Sequence, residues 1–166
     1  MIGLLLMAAG RSQRFKATHN GMHKLLHPMN DLFESMLETT YKTASQVFSP
    51  ENICIIVNQE EQEVQEAAQK LASPTLPIQS NGIGESLAQA IHAHQHYDGL
   101  LILHADLPFI QSATIQSVHD ALQSHDIVRP VYKEKFGHPV GFQKQRFAEL
   151  IQLKGPHYLH HTQRET

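Results

Sequence analysis

The chain has 166 residues, one cysteine and no tryptophan, and 13 Lys and Arg set against 16 Asp and Glu give a formal net charge of -3. With 41% apolar and 17% charged residues the composition is globular, and the length suits one domain with a sizeable core. The charge balance gives no support to nucleic-acid binding, the single Cys54 excludes a disulfide framework and a multi-cysteine zinc site, and no apolar run approaches the roughly 18 residues that span a membrane.

Ile2 to Met7 is apolar without alternation, which predicts a strand buried on both faces. Nothing basic precedes it, so it reads as a strand rather than a secretory leader, and a cytoplasmic location is expected. Asp31 is positioned to cap a helix reaching about Phe48, with Glu34 completing a near capping box. Leu32, Phe33, Met36, Leu37, Tyr41, Ala44 and Val47 would form its apolar stripe. Ser49 to Asn52 ends it, and Ile53 to Val57 is a second buried strand. A polar helix is expected over Glu60 to Leu71, then a short strand at Pro77 to Gln79 and a flexible loop at Asn81 to Gly84. Glu85 to His96 reads as a helix and Leu100 to His104 as a third strong strand. Ser112 caps a helix to about Leu122, and Ile127 to Tyr132 is a fourth strand that Pro130 keeps from an interior position. Val140 to Phe142 is a short extended piece, Gln145 to Leu153 a last helix, and Gly155 to Thr166 a polar tail rich in histidine. Strands separated by helices predict an α/β fold with a mostly parallel sheet, one domain over 1–154 and a tail over 155–166.

In open α/β sheets, ligands bind beyond the carboxyl ends of the strands. The first strand is followed by Ala8-Ala9-Gly10-Arg11-Ser12-Gln13-Arg14-Phe15-Lys16 and then Lys24. It carries no P-loop signature, and Gly82-Ile83-Gly84 lacks the third glycine of a dinucleotide fingerprint. Arg11, Arg14, Lys16 and Lys24 nevertheless crowd four cations into fourteen positions beside a glycine. Such a loop either holds phosphates or is a solvated surface loop with ordinary charges. Asp106 follows the third strong strand among apolar residues. It is either a hard carboxylate ligand for Mg²⁺ beside substrate phosphates, or a turn aspartate before Pro108. The Gly137-His138-Pro139-Val140-Gly141-Phe142 cluster reads either as a loop shaped against a ligand or as a plain hairpin.

Four ordered blocks carry a resemblance. Leu6 to Phe15 with Lys24-Leu25-Leu26 resembles the opening signature of nucleotidyltransferases that act on nucleoside triphosphates. Gly84 to Ile91, Ala105 to Ile110 and Gly137 to Phe142 resemble later blocks of one branch, the molybdenum cofactor cytidylyltransferases and their relatives. The likeness runs from about residue 2 to 154. It implies a Rossmann-like sheet of the glycosyltransferase-A type with helices on both faces. It further implies Mg²⁺-dependent transfer of a cytidylyl group from CTP to the phosphate of molybdopterin, releasing pyrophosphate, with a molybdoenzyme as a further partner. The resemblance carries triphosphate and substrate binding onto Ala9, Gly10, Arg11, Ser12, Arg14, Lys24 and Ser86, and metal binding onto Asp106. Arg14, Lys24 and Asp106 would be catalytic, and His138, inside its Gly-His-Pro block, would contact substrate. Ala9-Gly10 resembles the cytidylyl side of the family, because the guanylyl-transferring relatives tend to have two glycines there. Another triphosphate or acceptor on the same fold, and a non-catalytic nucleotide-binding accessory protein, are the alternatives.

The chain departs from the family pattern in three places. Residues Ala17 to Met22 lengthen the first loop. Pro156 stands where relatives carry an aspartate that is a candidate second metal ligand. The chain also reaches Thr166 without a further strand and acidic segment. The last two departures raise a weakened or inactive enzyme as an expectation. Among the 13 histidines, His19, His23 and His27 sit at four-residue spacing, but Gly21 and Pro28 oppose the regular helix that a histidine metal site would need.

Overall fold

Three of the apolar runs can be satisfied only where both faces of a strand are covered, and that requirement organises the fold. The computed structural model describes residues 1–29 and 34–153. Its central strands are β1 (Ile2–Ala8), β2 (Ile53–Asn58) and β4 (Gly99–His104), with β3 (Thr75–Ile78) beside β2. The six-stranded sheet has the order β3-β2-β1-β4-β8-β5, where β5 is Ile127–Val128 and β8 is Val140–Gln143. The first four strands in that order run parallel, and β8 lies antiparallel to both β4 and β5.

Alternate residues of β1 feed two cores. Leu4, Leu6 and Ala8 pack with helices α2 (Met36–Ser45), α3 (Gln62–Gln69) and α5 (Ser112–Leu122) on one face. Leu5, Met7 and Ala9 pack with α4 (Ile83–His92) and α6 (Phe147–Ile151) on the other. Each fully buried Leu or Ile stabilises the fold by about 1.5–3 kcal/mol relative to exposure. The result is the expected α/β architecture, a mostly parallel sheet with helices on both faces.

Several boundaries differ from the sequence reading. The helix expected from Asp31 begins at Met36, where Ser35 and Glu38 form the reciprocal capping box; Asp31, Leu32 and Phe33 lie outside the described residues. Asn81 to Gly84 is not wholly loop, because α4 starts at Ile83. Helix α5 begins at Ser112 with Gln111 as its cap and no side-chain cap bond, so Ser112 is its first residue rather than its cap. The single strand expected over Ile127 to Tyr132 breaks at Pro130, which has no N–H to donate. Its second half pairs with later residues as an exposed hairpin, β6 (Val131–Tyr132) with β7 (Lys135–Phe136). A short helix, α1 (Gln13–Thr18), occupies what reads as loop, and the last helix is α6 preceded by a 3-10 turn at Lys144–Arg146. The expected tail over 155–166 lies outside the described residues. No helix among the described residues is long and apolar enough to cross a membrane.

Close packing fixes one glycine in β1. A Cβ on Gly3 would stand 2.8 Å from ring carbons of Tyr97, whose hydroxyl donates to Asn52 Oδ1 at 3.1 Å. Overpacking of this kind typically costs about 1–3 kcal/mol. Gly3→Ala is expected to lower the unfolding free energy by that amount, read as a lower urea midpoint at an unchanged m-value; an unshifted midpoint would show that the ring yields freely.

Candidate active site

Strand register brings the predicted residues together. Met7 pairs with Ile56 on one side and His104 on the other, so β1, β2 and β4 end level with one another. Asn58 at the end of β2, with Ala9-Gly10 and Asp106 beyond β1 and β4, opens onto one cavity of about 620 Å³. The loop before α4 closes a further wall. Of the residues singled out in the sequence, Ala9, Gly10, Arg11, Ser12, Arg14, Lys24, Ser86 and Asp106 all line this cavity. His138 is not among its lining residues; its ring stands behind the wall, edge-on to His104 with centroids 4.9 Å apart. The antiparallel pairing of Val140 with Ile102 brings it there.

The first loop is built to present backbone and cations. A Cβ on Gly10 would meet no protein atom within 4 Å, so the backbone there faces open cavity. Ser12 is held in the left-handed region at φ 55, and its Oγ accepts the backbone N–H of Lys24 at 3.0 Å. Lys24 opens the 3-10 turn Lys24–Leu26, and its Nζ donates to Asp106 Oδ2 at 3.0 Å. This pair is open to solvent, with side chains 40% and 42% exposed. Arg11 pairs with Glu60 at 2.8 Å, and Lys16 with both carboxylate oxygens of Glu61 at 2.7 and 2.6 Å. Arg14 is exposed and has no ion pair among the described residues.

Beside Ser86, four polar residues of the wall were not singled out as site residues in the sequence: Asn58, Ser80, His23 and His104. Asn58 is buried; its amide donates to Ala9 O at 3.4 Å and its Oδ1 accepts the Glu60 N–H at 3.0 Å. Ser80 and Ser86 share a short hydroxyl hydrogen bond, and Ser86 donates to Gly82 O at 3.0 Å. His23 and His104 also line the cavity. The sequence signal for Asn58 and His104 was the one used for Asp106: a polar residue where an apolar strand run stops.

Among the described residues, no three His, Cys, Asp or Glu side chains gather as a metal site. The spaced histidines do not gather one either: His19 and His27 pack their rings around Phe15, and His23 turns inward to backbone atoms. A cation here would have Asp106 as its protein carboxylate and would complete its shell with phosphate and water oxygens. That donor set fits Mg²⁺, which takes one or two carboxylates with substrate phosphates. Pro156 lies outside the described residues.

Comparison with known proteins agrees with this geometry. A family described as the MobA-like NTP transferase domain matches residues 4–165. The bifunctional protein GlmU of Sphingopyxis alaskensis is 29% identical over 126 residues, 75% of this chain and 27% of that protein. The chain spans about three tenths of the length of such curated relatives. Rv0371c of Mycobacterium tuberculosis H37Rv superimposes with a TM-score of 0.79 at 25% identity, over 93% of this chain and 77% of that one. Its complex with manganese gives 0.76 at 24% identity over the same shares. A cytidylyltransferase from Leptospira borgpetersenii shares the fold, with a TM-score of 0.73 at 18% identity over 92% and 64% of the two chains.

Three histidines at the site prefer the neutral ring. Burial is the largest cause for each of His23, His104 and His138, and His138 is held down to about 4, with His104 and Arg129 adding to the effect. Their ordinary value is 6.5. The unfolded chain therefore takes up protons first as the pH falls. Stability from these rings is complete above 6.5 and is lost as the pH falls toward 4. Urea midpoints are expected to drop between pH 7.5 and pH 5, and His138→Gln is expected to shrink that drop; an equal drop in the variant would remove His138 as a source.

Proposed function

The chain belongs to the MobA-like NTP transferase domain family, and from that premise we propose that it transfers a cytidylyl group from CTP to the phosphate of a molybdopterin-type acceptor. The observation that carries the reading is the meeting of Gly10, Arg11, Arg14 and Lys24 with one carboxylate, Asp106, in a single cavity at the carboxyl ends of parallel strands. Ala9-Gly10 supports CTP, and so does the likeness of fold to a cytidylyltransferase.

An oxygen of the acceptor phosphate attacks the α-phosphorus, a new P–O bond forms, and the bond to the bridging oxygen breaks with its electron pair on pyrophosphate. The nucleophile is already ionised, so no general base or covalent intermediate is needed. What remains is alignment and charge neutralisation, which supply most of the catalysis in phosphoryl chemistry. Arg14 and Lys24 neutralise the departing pyrophosphate. Gly10 lets the triphosphate approach the backbone, and Ser12 fixes the turn that carries Lys24. Asp106 would hold Mg²⁺, which when bound draws charge from the phosphates. His138 bears on the site through His104, whose ring it meets edge-on.

A second reading, transfer from another triphosphate or to another acceptor, is favoured by the site itself, whose cations and Asp106 suit phosphates and metal of any nucleoside triphosphate. Calorimetric titration with CTP, GTP, ATP and UTP, with and without Mg²⁺, separates the two. Tightest binding of CTP, dependent on Mg²⁺, is the expected result. Preference for another base keeps the transfer class and overturns CTP, whereas no binding of any triphosphate overturns the enzyme.

The Lys24–Asp106 pair lies open to solvent, where such pairs stabilise by about 0–1 kcal/mol, so its loss is not expected to unfold the chain. In a pyrophosphate-release assay with molybdopterin, Asp106→Asn is expected to lower kcat by at least about 100-fold. Lys24→Ala is expected to raise the KM for the triphosphate and lower kcat. Normal kinetics in either variant removes that residue from its role.

A further inference from the structure

One buried imidazole of the cavity has no part in the transfer described above. His23 is 3% exposed, yet both of its ring nitrogens meet backbone atoms of the site. Its Nε2 stands 2.7 Å from the carbonyl oxygen of Gly10, thirteen residues earlier in the chain. Its Nδ1 accepts the N–H of Leu25 at 3.1 Å. A carbonyl oxygen only accepts and an amide N–H only donates, so the two bonds together require the neutral ring with its proton on Nε2. Glu61, Lys16 and Lys24 are the charged groups that act on the ring, and burial outweighs the carboxylate in keeping it uncharged.

The chain between these two anchors is helix α1 and a surface turn. After α1 it runs through exposed residues 19–22, with Asn20 and Gly21 both left-handed at φ 55 and 80. Without a cross-strap, ordering such a segment around a ligand would draw on the binding energy. Only two side-chain hydrogen bonds among the described residues tie the Gly10–Ser12 stretch to the Lys24 turn. One is Ser12 Oγ with Lys24 N, and the other is the His23 bridge.

We propose that His23 is a positioning residue of the candidate active site: its ring clasps the Gly10 loop to the turn carrying Lys24, so that a triphosphate meets a cradle already formed and a lysine already set against Asp106. The role rests on the triphosphate reading of the cavity. Both bonds end on backbone that presents cavity-lining residues, so the role is read in ligand affinity and not in stability alone.

Two substitutions divide the clasp. His23→Asn places an oxygen near the position of Nδ1 and keeps the Leu25 bond, but is too short to reach Gly10. His23→Gln places an amide nitrogen near the position of Nε2 and keeps the link to Gly10. Wild type and both variants would be titrated calorimetrically with CTP and Mg²⁺, at a temperature where circular dichroism shows all three folded. His23→Asn is expected to weaken CTP binding roughly tenfold, the equivalent of one lost hydrogen bond of about 1.4 kcal/mol, and His23→Gln to recover most of that loss. Wild-type affinity in His23→Asn, or no recovery in His23→Gln, overturns the role while leaving the triphosphate reading intact. A wild type that binds no triphosphate fails that reading first, and this role with it. One measurement needs no variant: ¹⁵N spectra of the wild-type ring at neutral pH are expected to report the Nε2–H tautomer, and an Nδ1–H tautomer or an imidazolium overturns the clasp.

Discussion

Parallel pairing on both edges of β1 is the constraint from which the site follows. A strand hydrogen-bonded to parallel neighbours on either side must share their direction, so all three chains leave the sheet at one edge. The register then sets how far each continues: Met7, Ile56 and His104 are level, and the loops bearing Gly10 and Asp106, like Asn58 at the end of β2, lie within about two residues of that line. Burial on both faces of β1 holds the register, because a slip of one residue would exchange the Leu4-Leu6-Ala8 set with the Leu5-Met7-Ala9 set between two differently shaped cores. The geometry of the candidate site and hydrophobic packing are thus fixed by the same hydrogen-bond ladder.

The antiparallel β8 plays a different part. By pairing Leu100 with Phe142 and Leu101 with Gly141, it turns the chain back toward the edge from which β4 emerges. Gly99 and Gly141 leave room there for Leu122 of α5, whose methyl carbon would stand 3.0 and 3.2 Å from a Cβ on either. Close approach of that helix keeps β8 in place, and β8 in turn supports His138 against His104. A packing detail at one end of the strand is in this way coupled to the polar wall at the other.

Much of this was legible in the sequence. Ile2 to Met7, Ile53 to Val57 and Leu100 to His104 announced themselves because unbroken apolar runs have few homes other than a doubly covered strand. The strand-end rule then located Gly10, Lys24 and Asp106 before any contact was known. Strand direction and order were not legible for Val140 to Gln143, since the same four residues suit either direction and only tertiary pairing decides. Asp31 with Glu34 and Ser35 with Glu38 offer the same capping spacing in the sequence, so the pattern did not tell them apart; α2 runs directly from Met36 with Ser35 as its cap. His23 was visible only as one of three spaced histidines. Its bonds reach thirteen residues back along the chain and two forward, and no periodicity encodes such a span.

The ion pairs of the first loop have a consequence for how the empty protein meets its surroundings. Arg11 rests on Glu60, Lys16 on Glu61 and Lys24 on Asp106, so three of the four clustered cations bring their own anion. Four bare cations would present a positive field to any anion in solution, a field that salt screens. Here an arriving polyanion instead trades places with tethered carboxylates that cannot diffuse away. Its affinity then changes less steeply with ionic strength than a count of basic residues implies, and a passing polyphosphate or nucleic acid finds little unspent charge to hold. Occupancy is reserved for a ligand whose shape lets it displace several partners at once.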